Sequence, residues 1–237
     1  MERLQKVIAN SGLCSRRTAE QYIQEGRVKV DGVVVTTLGT QIDPERGIIT
    51  VDGKKLPTYL PVVYLLNKPK GIVCSRTPQG KEEVVTSLVP DFPPVYPIGR
   101  LDKESEGAIL LTNDGFLTHK LTHPSFQHSK VYRVTVQAEK TIDLPAVEHH
   151  LLKGVKLGDG KAMADKINSS AIDSQTATLY ITVHEGRNHL IRRMCATLDL
   201  NVKRLVRIQI GFITLGSLKP GEYRRLTRQE IQRLHAS

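Results

Sequence analysis

The first feature able to do chemistry is a single aspartate in a loop-like stretch before an apolar run. Asp102 lies between Arg100 and Lys103, and the apolar residues 108–111 follow shortly after. An aspartate side chain is ionised at neutral pH. Asp102 can therefore act as a nucleophile or as a base without a metal. Without further context, the alternative is an ordinary loop aspartate that caps a turn or pairs with Arg100.

A second feature is a concentration of positive charge near the carboxyl end. The chain of 237 residues has 34 Lys and Arg against 24 Asp and Glu, a net charge of +10. Residues 178–237 hold 11 basic against 4 acidic residues and so contribute +7 of that excess. Such a surface favours an anionic partner, with nucleic acid first and an anionic membrane surface second. The alternative is a solvated charged helix face.

Metal and cofactor chemistry has no matching sequence signal. Five of the eight histidines could suggest a metal site, but their spacing is irregular and they lack carboxylate partners. They are His119, His123, His128, His184 and His189. The three cysteines form no CxxC pair, and no dinucleotide-binding or P-loop glycine pattern is present. We therefore expect no metal, no disulfide framework and no cofactor.

The elements that must position Asp102 belong to an α+β fold. Short strand-like runs dominate the chain after residue 62, and helices do not alternate regularly with them, which argues against a doubly wound sheet. We expect a mixed, mainly antiparallel sheet with flanking helices. The predicted strands are 62–66, 108–112, 131–136, 178–183, 206–210 and 212–215. The predicted helices are 81–89, 114–121, 143–151, 188–198 and 227–235.

The first 57 residues read as a separate small domain with its own α/β pattern. Ser15 is a good amino-terminal cap for a second helix, and Asp31-Gly32 between two apolar runs is a strong hairpin signal. A proline-containing stretch then separates this part from the rest. We predict a small domain over 1–57, a linker over 58–61 and a larger domain over 62–237.

The small domain resembles the alpha-L RNA-binding domain of the ribosomal S4 type. The resemblance rests on the stretches 3–6, 15–17 and 26–32. Arg16 and Arg17 open a helix whose positive end would repel them, so we expect them to face phosphate; the alternative is a solvated charged turn. This resemblance implies RNA as the partner without implying a reaction.

The larger domain resembles the pseudouridine synthases of the RsuA/RluB/RluE/RluF family. The stretch Gly99-Arg100-Leu101-Asp102, followed by residues 105–115, is similar to the active-site motif of that family. Three further motifs agree in order, namely residues 65–71, 130–134 and 185–194. The resemblance covers essentially the whole chain, and it departs from the usual pattern at residues 105–108 and at Leu190.

The resemblance implies a role for each matching residue. Asp102 matches the family aspartate that attacks the target nucleoside, either by adding to the sugar or by removing a proton from the 2′ carbon. Tyr132 matches the tyrosine that stacks on the target base and helps to remove the proton from its carbon 5. Arg192 matches the basic residue that pairs with the catalytic carboxylate, and Ile191 matches the apolar residue beside it.

The expected function is therefore isomerisation of a specific uridine to pseudouridine in ribosomal RNA, with the 23S molecule favoured over 16S. The alternatives are a non-catalytic RNA-binding or ribosome-assembly factor, and a synthase that acts on tRNA or several RNAs. We expect a cytoplasmic monomer without a membrane span or secretory signal. The predicted RNA-binding residues are Arg16, Arg17, Lys29, Arg100, Lys130, Arg187, Arg193 and Arg204.

Overall fold

A computed structural model of the chain describes residues 1–43, 46–57, 60–75, 80–123, 126 and 128–237. Part of the predicted linker, residues 58 and 59, lies outside the described residues. Within the described ranges, no helix is both long and apolar enough to cross a membrane.

Residues 1–57 form two short helices and small sheets around a modest core. The elements are β1 (Glu2–Arg3), α1 (Leu4–Asn10), α2 (Arg16–Gln24), β2 (Val28–Val30), β3 (Val33–Val34), β4 (Gln41–Ile42), β5 (Ile49–Val51) and β6 (Lys54–Lys55). Ser15 caps α2, because its hydroxyl accepts a hydrogen bond from the backbone of Thr18 at 3.1 Å. Four strands pair in the order β3-β2-β5-β6.

The predicted hairpin is confirmed. β2 and β3 pair antiparallel, with Val30 opposite Val33. Asp31 and Gly32 form the turn with φ angles of 50° and 85°. Two consecutive positive φ values match the right-handed twist of the strands, and this is why Asp-Gly is favoured there.

The rest of the chain forms one large sheet with helices packed on it, and a separate two-stranded hairpin of β11 and β12. The strands are β7 (Val63–Lys68), β8 (Tyr96–Ile98), β9 (Glu106–Thr112), β10 (Lys130–Gln137), β11 (Val155–Leu157), β12 (Gly160–Ala162), β13 (Lys166–Ala171), β14 (Thr176–Val183), β15 (Asn201–Ile210), β16 (Ile213–Thr214) and β17 (Tyr223–Arg225). The helices are α3 (Gly115–Thr122), α4 (Leu144–Lys153), α5 (Leu190–Ala196) and α6 (Arg228–Ala236), with a 3-10 turn at Val85–Leu88.

The sheet is mixed and mainly antiparallel, as predicted. Its strands run in the order β13-β14-β10-β15-β9-β7-β17, with β16 on β15 and β8 on β9. Among the described pairings of this sheet, β9 and β15 alone are parallel, with Val206 opposite Glu106 and Arg207 opposite Gly107. This short parallel seam joins the two antiparallel halves, and the loop that holds Asp102 enters the sheet at its end.

Two apolar clusters hold the helices on the sheet. Helices α4 and α5 bury Leu151 and Met194 against Leu179 and Ile181 of β14. Helices α3 and α6 bury Leu117 and a second set of residues against β7 and β9. The loop that holds Asp102 is therefore fixed between packed elements.

Four of the five predicted helices of the larger domain are confirmed, with end points that differ by up to two residues. The prediction of a helix over 81–89 is wrong. Val84 is extended, its neighbour Val85 begins the short 3-10 turn, and Val84 bridges to Val73. Adjacent β-branched valines lose side-chain freedom in a helix, and here burial of Val85 in the core favours the extended entry.

Candidate active site

The loop between β8 and β9 carries Asp102 and is fastened on several sides. The backbone amide of Ser105 donates to the carbonyl of Asp102 at 3.0 Å, and that of Gly71 donates to the carbonyl of Lys103 at 2.8 Å. The amide of Leu101 donates to Sγ of Cys74 at 3.2 Å. Because the backbone on both sides of Asp102 is held, its carboxylate has a defined position.

The buried side chain of Lys68 holds this loop through hydrogen bonds to backbone carbonyls. Its side chain is 0% exposed, and its Nζ donates to the carbonyl oxygens of Pro69, Lys103 and Ser105 at 2.9, 3.2 and 2.7 Å. Burial lowers the pKa of the Lys68 ammonium, while nearby acidic groups, Asp102 among them, raise it. Lys68 therefore acts as a buried cationic clamp on the residues that follow Asp102.

Asp102 faces a cleft of about 870 Å³ that most of the predicted larger-domain site residues also line. Tyr132 and Ile191 supply an aromatic and an aliphatic wall. The cations of the predicted set that line the cleft are Arg100, Lys130 and Arg187. A carboxylate, an aromatic ring and several cations in one cleft can accept a flipped nucleotide and hold its phosphates.

The strand β10 brings Tyr132 into the lining of this cleft. Tyr132 lies opposite Ile181 of β14 on one side and Arg207 of β15 on the other. The register shifts between Val131 and Tyr132, and such a bulge re-aims the side chain beside it. Half-burial of Tyr132 leaves one part of the ring packed on the core and another part toward the cleft.

His189 approaches the carboxylate more closely than the sequence suggested. Its Nε2 lies 3.4 Å from Oδ1 of Asp102, and its backbone is left-handed, with φ 49° and ψ 27°, immediately before α5. A residue other than glycine in this conformation stores strain of about 1–3 kcal/mol, which is found most often at functional sites. The sequence reading considered His189 only as a metal ligand and missed this position.

The predicted pairing of Arg192 with Asp102 is not found. Arg192 donates to the carbonyl of Val202 through Nη1 and to the carbonyl of Glu104 through Nη2, both at 3.4 Å. The reason is the helix register: Ile191 points into the core and cleft, and the next residue is rotated by about 100°. Arg192 therefore holds the backbone of the Asp102 loop, and its guanidinium makes no ion pair with Asp102 among the described residues.

Two predicted phosphate ligands, Arg187 and Arg193, share an acidic partner instead. Asp159, in the turn between β11 and β12, accepts from Arg187 at 3.1 Å and from Arg193 at 2.9 Å. The hydrogen bond from Arg193 lowers the pKa of Asp159. Arg187 also donates to Glu185 at 2.6 Å. These contacts anchor the segment before α5 to the hairpin, and RNA binding by Arg193 stays a prediction.

The remaining predicted RNA-binding residues differ in availability. Arg100 is exposed at the cleft, and Lys130 is half-buried with its Nζ 3.2 Å from the carbonyl of His184. Burial lowers the pKa of Lys130, and Arg207 lowers it further. Arg204 is paired with Glu106 at 2.6 Å. The other three, Arg16, Arg17 and Lys29, are exposed residues of α2 and β2, outside the cleft lining.

Metal ligands are not gathered at this site. Within the described part of the chain, no group of three or more His, Cys, Asp and Glu side chains is arranged to hold a metal ion. His123, His128, His184 and His189 line the cleft individually.

The contact between His189 and Asp102 leads to a prediction. Asparagine tolerates the left-handed backbone but is too short to reach the carboxylate. We expect His189→Asn to leave the free energy of unfolding within about 1 kcal/mol of the wild type, while turnover falls roughly tenfold or more. RNA affinity should change little. Measuring both quantities on one preparation checks the assignment, and unchanged turnover would remove His189 from the site.

Comparison with known proteins shows which families the two parts of the chain match. Residues 62–197 match the protein family described as RNA pseudouridylate synthase, and residues 2–48 match the S4 domain family. A solved structure described as a pseudouridylate synthase matches 99% of this chain and 100% of its own, with 32% identity and a TM-score of 0.65.

Two relatives match along nearly their whole length. The ribosomal large subunit pseudouridine synthase B of Bacillus subtilis (strain 168) is 41% identical over 239 residues, which cover 100% of this chain and 96% of that protein. An uncharacterized RNA pseudouridine synthase of Aquifex aeolicus (strain VF5) is 40% identical, with 98% of this chain and 93% of that protein covered.

Proposed function

The chain belongs to the RNA pseudouridylate synthase family and is an enzyme that isomerises uridine in RNA, and we propose that its substrate is the ribosomal RNA of the large subunit. The observation that carries the target is the Bacillus relative, whose name states this substrate and which aligns with the full length of the chain. The S4 domain supports RNA as the macromolecule that is bound.

We propose that Asp102 begins the reaction inside the cleft. The bond between N1 of uracil and C1′ of ribose breaks, and its electron pair leaves with the base. Asp102 meets the electron demand of the sugar, either by adding to C1′ or by taking the proton from C2′. After the base turns, its carbon 5 bonds to C1′, which displaces Asp102 from C1′ or is accompanied by return of the C2′ proton from Asp102. Carbon 5 then loses its proton and N1 gains one, so the product is an isomer of the substrate. Atoms and electrons balance without an added group.

Tyr132 and Ile191 have the positions needed to hold the detached base. A base must leave its stack before Asp102 can reach the sugar, which costs a few kcal/mol. Stacking on an aromatic face stabilises the flipped base by about 1–3 kcal/mol, and the Ile191 side chain closes the cleft beside it. Arg100 and Lys130 line the same cleft and supply positive charge for the adjoining phosphates.

We further propose a division of labour within a cytoplasmic monomer that uses no cofactor. Residues 1–57 anchor the RNA, residues 62–237 perform the chemistry, and residues 58–61 link them. Arg16 and Arg17 support the anchoring role, because they are exposed at the start of α2 and make no ion pair within the described part of the chain.

This anchoring role predicts a change in salt dependence. The double variant Arg16→Met, Arg17→Met should bind RNA about tenfold more weakly, or weaker still, at moderate salt. It should also reduce the slope of log affinity against log salt by about two, since each phosphate contact contributes about 0.9. The matched control replaces Lys54 and Lys55 of β6 by Met and removes the same charge. Equal slopes for both double variants would contradict an anchor at α2.

The target is tested by mapping pseudouridines in ribosomal RNA from a strain that lacks this protein. We expect one position in the large-subunit RNA to revert to uridine, and a plasmid copy of the wild type to restore it. A lost modification in the small-subunit RNA or in tRNA would contradict the proposed target while leaving the reaction intact. An unchanged map would favour the non-catalytic alternative, an assembly factor that binds RNA.

A further inference from the structure

A buried arginine lines the cleft without a carboxylate partner among the described residues. Arg207 of β15 is 4% exposed. Its Nε donates to the carbonyl of Ala108 at 2.7 Å, and its Nη1 lies 3.4 Å from the carbonyl of Arg100. Its Nη2 is buried and has no hydrogen-bond partner among the described residues. A buried cation with an unused donor is costly, so this position calls for a functional explanation.

The orientation of Arg207 connects it to the catalytic cleft. It is directly opposite Tyr132 in the β10–β15 register, and residues paired in this way project from the same face of a sheet. Both side chains line the cleft together with Asp102. A base that stacks on Tyr132 therefore brings its edge toward the guanidinium of Arg207.

Ser105 provides a second polar atom of the same kind. Its side chain is 0% exposed and lines the cleft, and its Oγ is buried without a hydrogen-bond partner in the described part of the chain. Two unused polar groups in the cleft lining match the edge of a uracil, which presents carbonyl oxygens and one N–H. The floor of the cleft thus has the chemistry to receive a base.

We propose that Arg207 is a further catalytic residue, which stabilises the detached uracil anion through Nη2. This inference rests on the proposed reaction. When the N1–C1′ bond breaks, the negative charge spreads over N1 and the two carbonyl oxygens of uracil. A charge-assisted hydrogen bond from a buried guanidinium strengthens as that charge develops. The contact therefore stabilises the transition state more than the bound substrate.

Burial distinguishes this role from that of a phosphate contact. A backbone phosphate is reached by exposed cations such as Arg100 at the cleft, whereas Arg207 is covered by the sheet and by the Asp102 loop. Its Nε and Nη1 donate to the backbone carbonyls of Ala108 and Arg100, and because the guanidinium is planar these two contacts fix the direction of Nη2. Arg207 is thus preorganised for a ligand that enters the cleft fully, and a flipped base is such a ligand.

The test compares Arg207→Met and Arg207→Lys with the wild type in single-turnover assays on ribosomal RNA. Loss of one preorganised donor to a developing anion typically slows a reaction about 10²–10³-fold. We expect that loss for Arg207→Met, with RNA affinity within about threefold of the wild type. The rate of Arg207→Lys should exceed that of Arg207→Met by about tenfold or more, because lysine keeps the positive charge.

Leaving-group chemistry provides a readout that a purely structural role would not change. RNA with 5-fluorouridine at the target carries a base that departs more easily, so first-turnover rearrangement of this base should depend less on Arg207. Fluorine cannot leave carbon 5 as a proton does, so the product measured is the rearranged nucleoside that keeps its fluorine. The deficit of Arg207→Met should shrink to about tenfold or less on the fluorinated RNA. Arg224→Met is the control, since Arg224 is a partly buried arginine that pairs with Glu230 and is not among the residues that line the cleft. It should lower stability without altering the rate on either RNA.

Three results would overturn the proposal. They are an equal deficit on both RNAs, a deficit that resides in RNA affinity, and an unchanged rate in Arg207→Met. If Arg207→Met does not fold, the comparison of the two RNAs is made with Arg207→Lys, and an equal deficit again overturns it. Failure of the proposed function looks different, because the wild type itself would then bind RNA without converting uridine.

Discussion

Asp102→Asn abolishes measurable turnover in this account, with a loss of at least about a thousandfold, whereas RNA affinity stays within a few fold. The substitution keeps the side-chain volume but removes the negative charge that attacks the sugar or accepts its proton. The loop itself should not move, because Lys68 and the backbone hydrogen bonds at Leu101 and Ser105 hold it independently of the carboxylate. Single-turnover conversion and RNA binding, measured on one preparation, separate the two effects.

The control for Asp102→Asn is Asp173→Asn, which removes a carboxylate from the turn between β13 and β14. We expect normal turnover for that variant. Mass spectrometry must exclude deamidation of the new asparagine, since even a trace of restored aspartate would mimic activity. Genuine isomerisation by intact Asp102→Asn would assign the chemistry to another group.

Gly107→Ala should destabilise the protein by more than about 3 kcal/mol. Gly107 has a φ of +109°, a region that L residues with a side chain rarely adopt. A methyl group built at this position would lie 2.3 Å from the carbonyl oxygen and 2.6 Å from the amide nitrogen of Arg207. Both atoms belong to the backbone of β15, so relief requires the parallel seam between β9 and β15 to open.

Denaturant unfolding of Gly107→Ala beside Gly158→Ala measures this effect with a matched substitution. A methyl group at Gly158 meets no atom within 4 Å, and its backbone lies outside the positive-φ region. We expect Gly158→Ala to change the free energy of unfolding by less than about 1 kcal/mol. Similar unfolding midpoints for the two variants would mean that the strands are not in this close contact.

Local signals in the sequence predicted most helices and the long central strands, but they missed five strands of the larger domain, β8, β11, β12, β13 and β17. The Asp31-Gly32 turn and the Ser15 cap depend on neighbouring residues alone, so their chemistry is visible without the fold. The helix predicted over 81–89 failed for the opposite reason. Val84 bridges to Val73, and Val85 packs in a core cluster with residues of other segments, and these contacts outweigh the local pattern.

The residues of the site that belong to recognisable sequence motifs were predictable. Asp102, Tyr132 and Ile191 come from separate segments, and the cleft brings them together. The partner of Asp102 was not predictable, because the choice between His189 and Arg192 depends on where α5 begins and how it is rotated. Arg207 was visible only as a cation inside an apolar strand, and its burial follows from the parallel seam, which no local pattern specifies.

The most direct test of the central claim is release of tritium from carbon 5 of uridine in ribosomal RNA. Formation of the new carbon–carbon bond at that atom must expel its hydrogen, so each pseudouridine made releases one tritium. With large-subunit RNA labelled at this carbon, we expect the wild-type protein to release one equivalent of tritium per molecule of RNA. Release should be absent with Asp102→Asn. Tight binding of the same RNA by the wild type without any release of tritium would contradict the account.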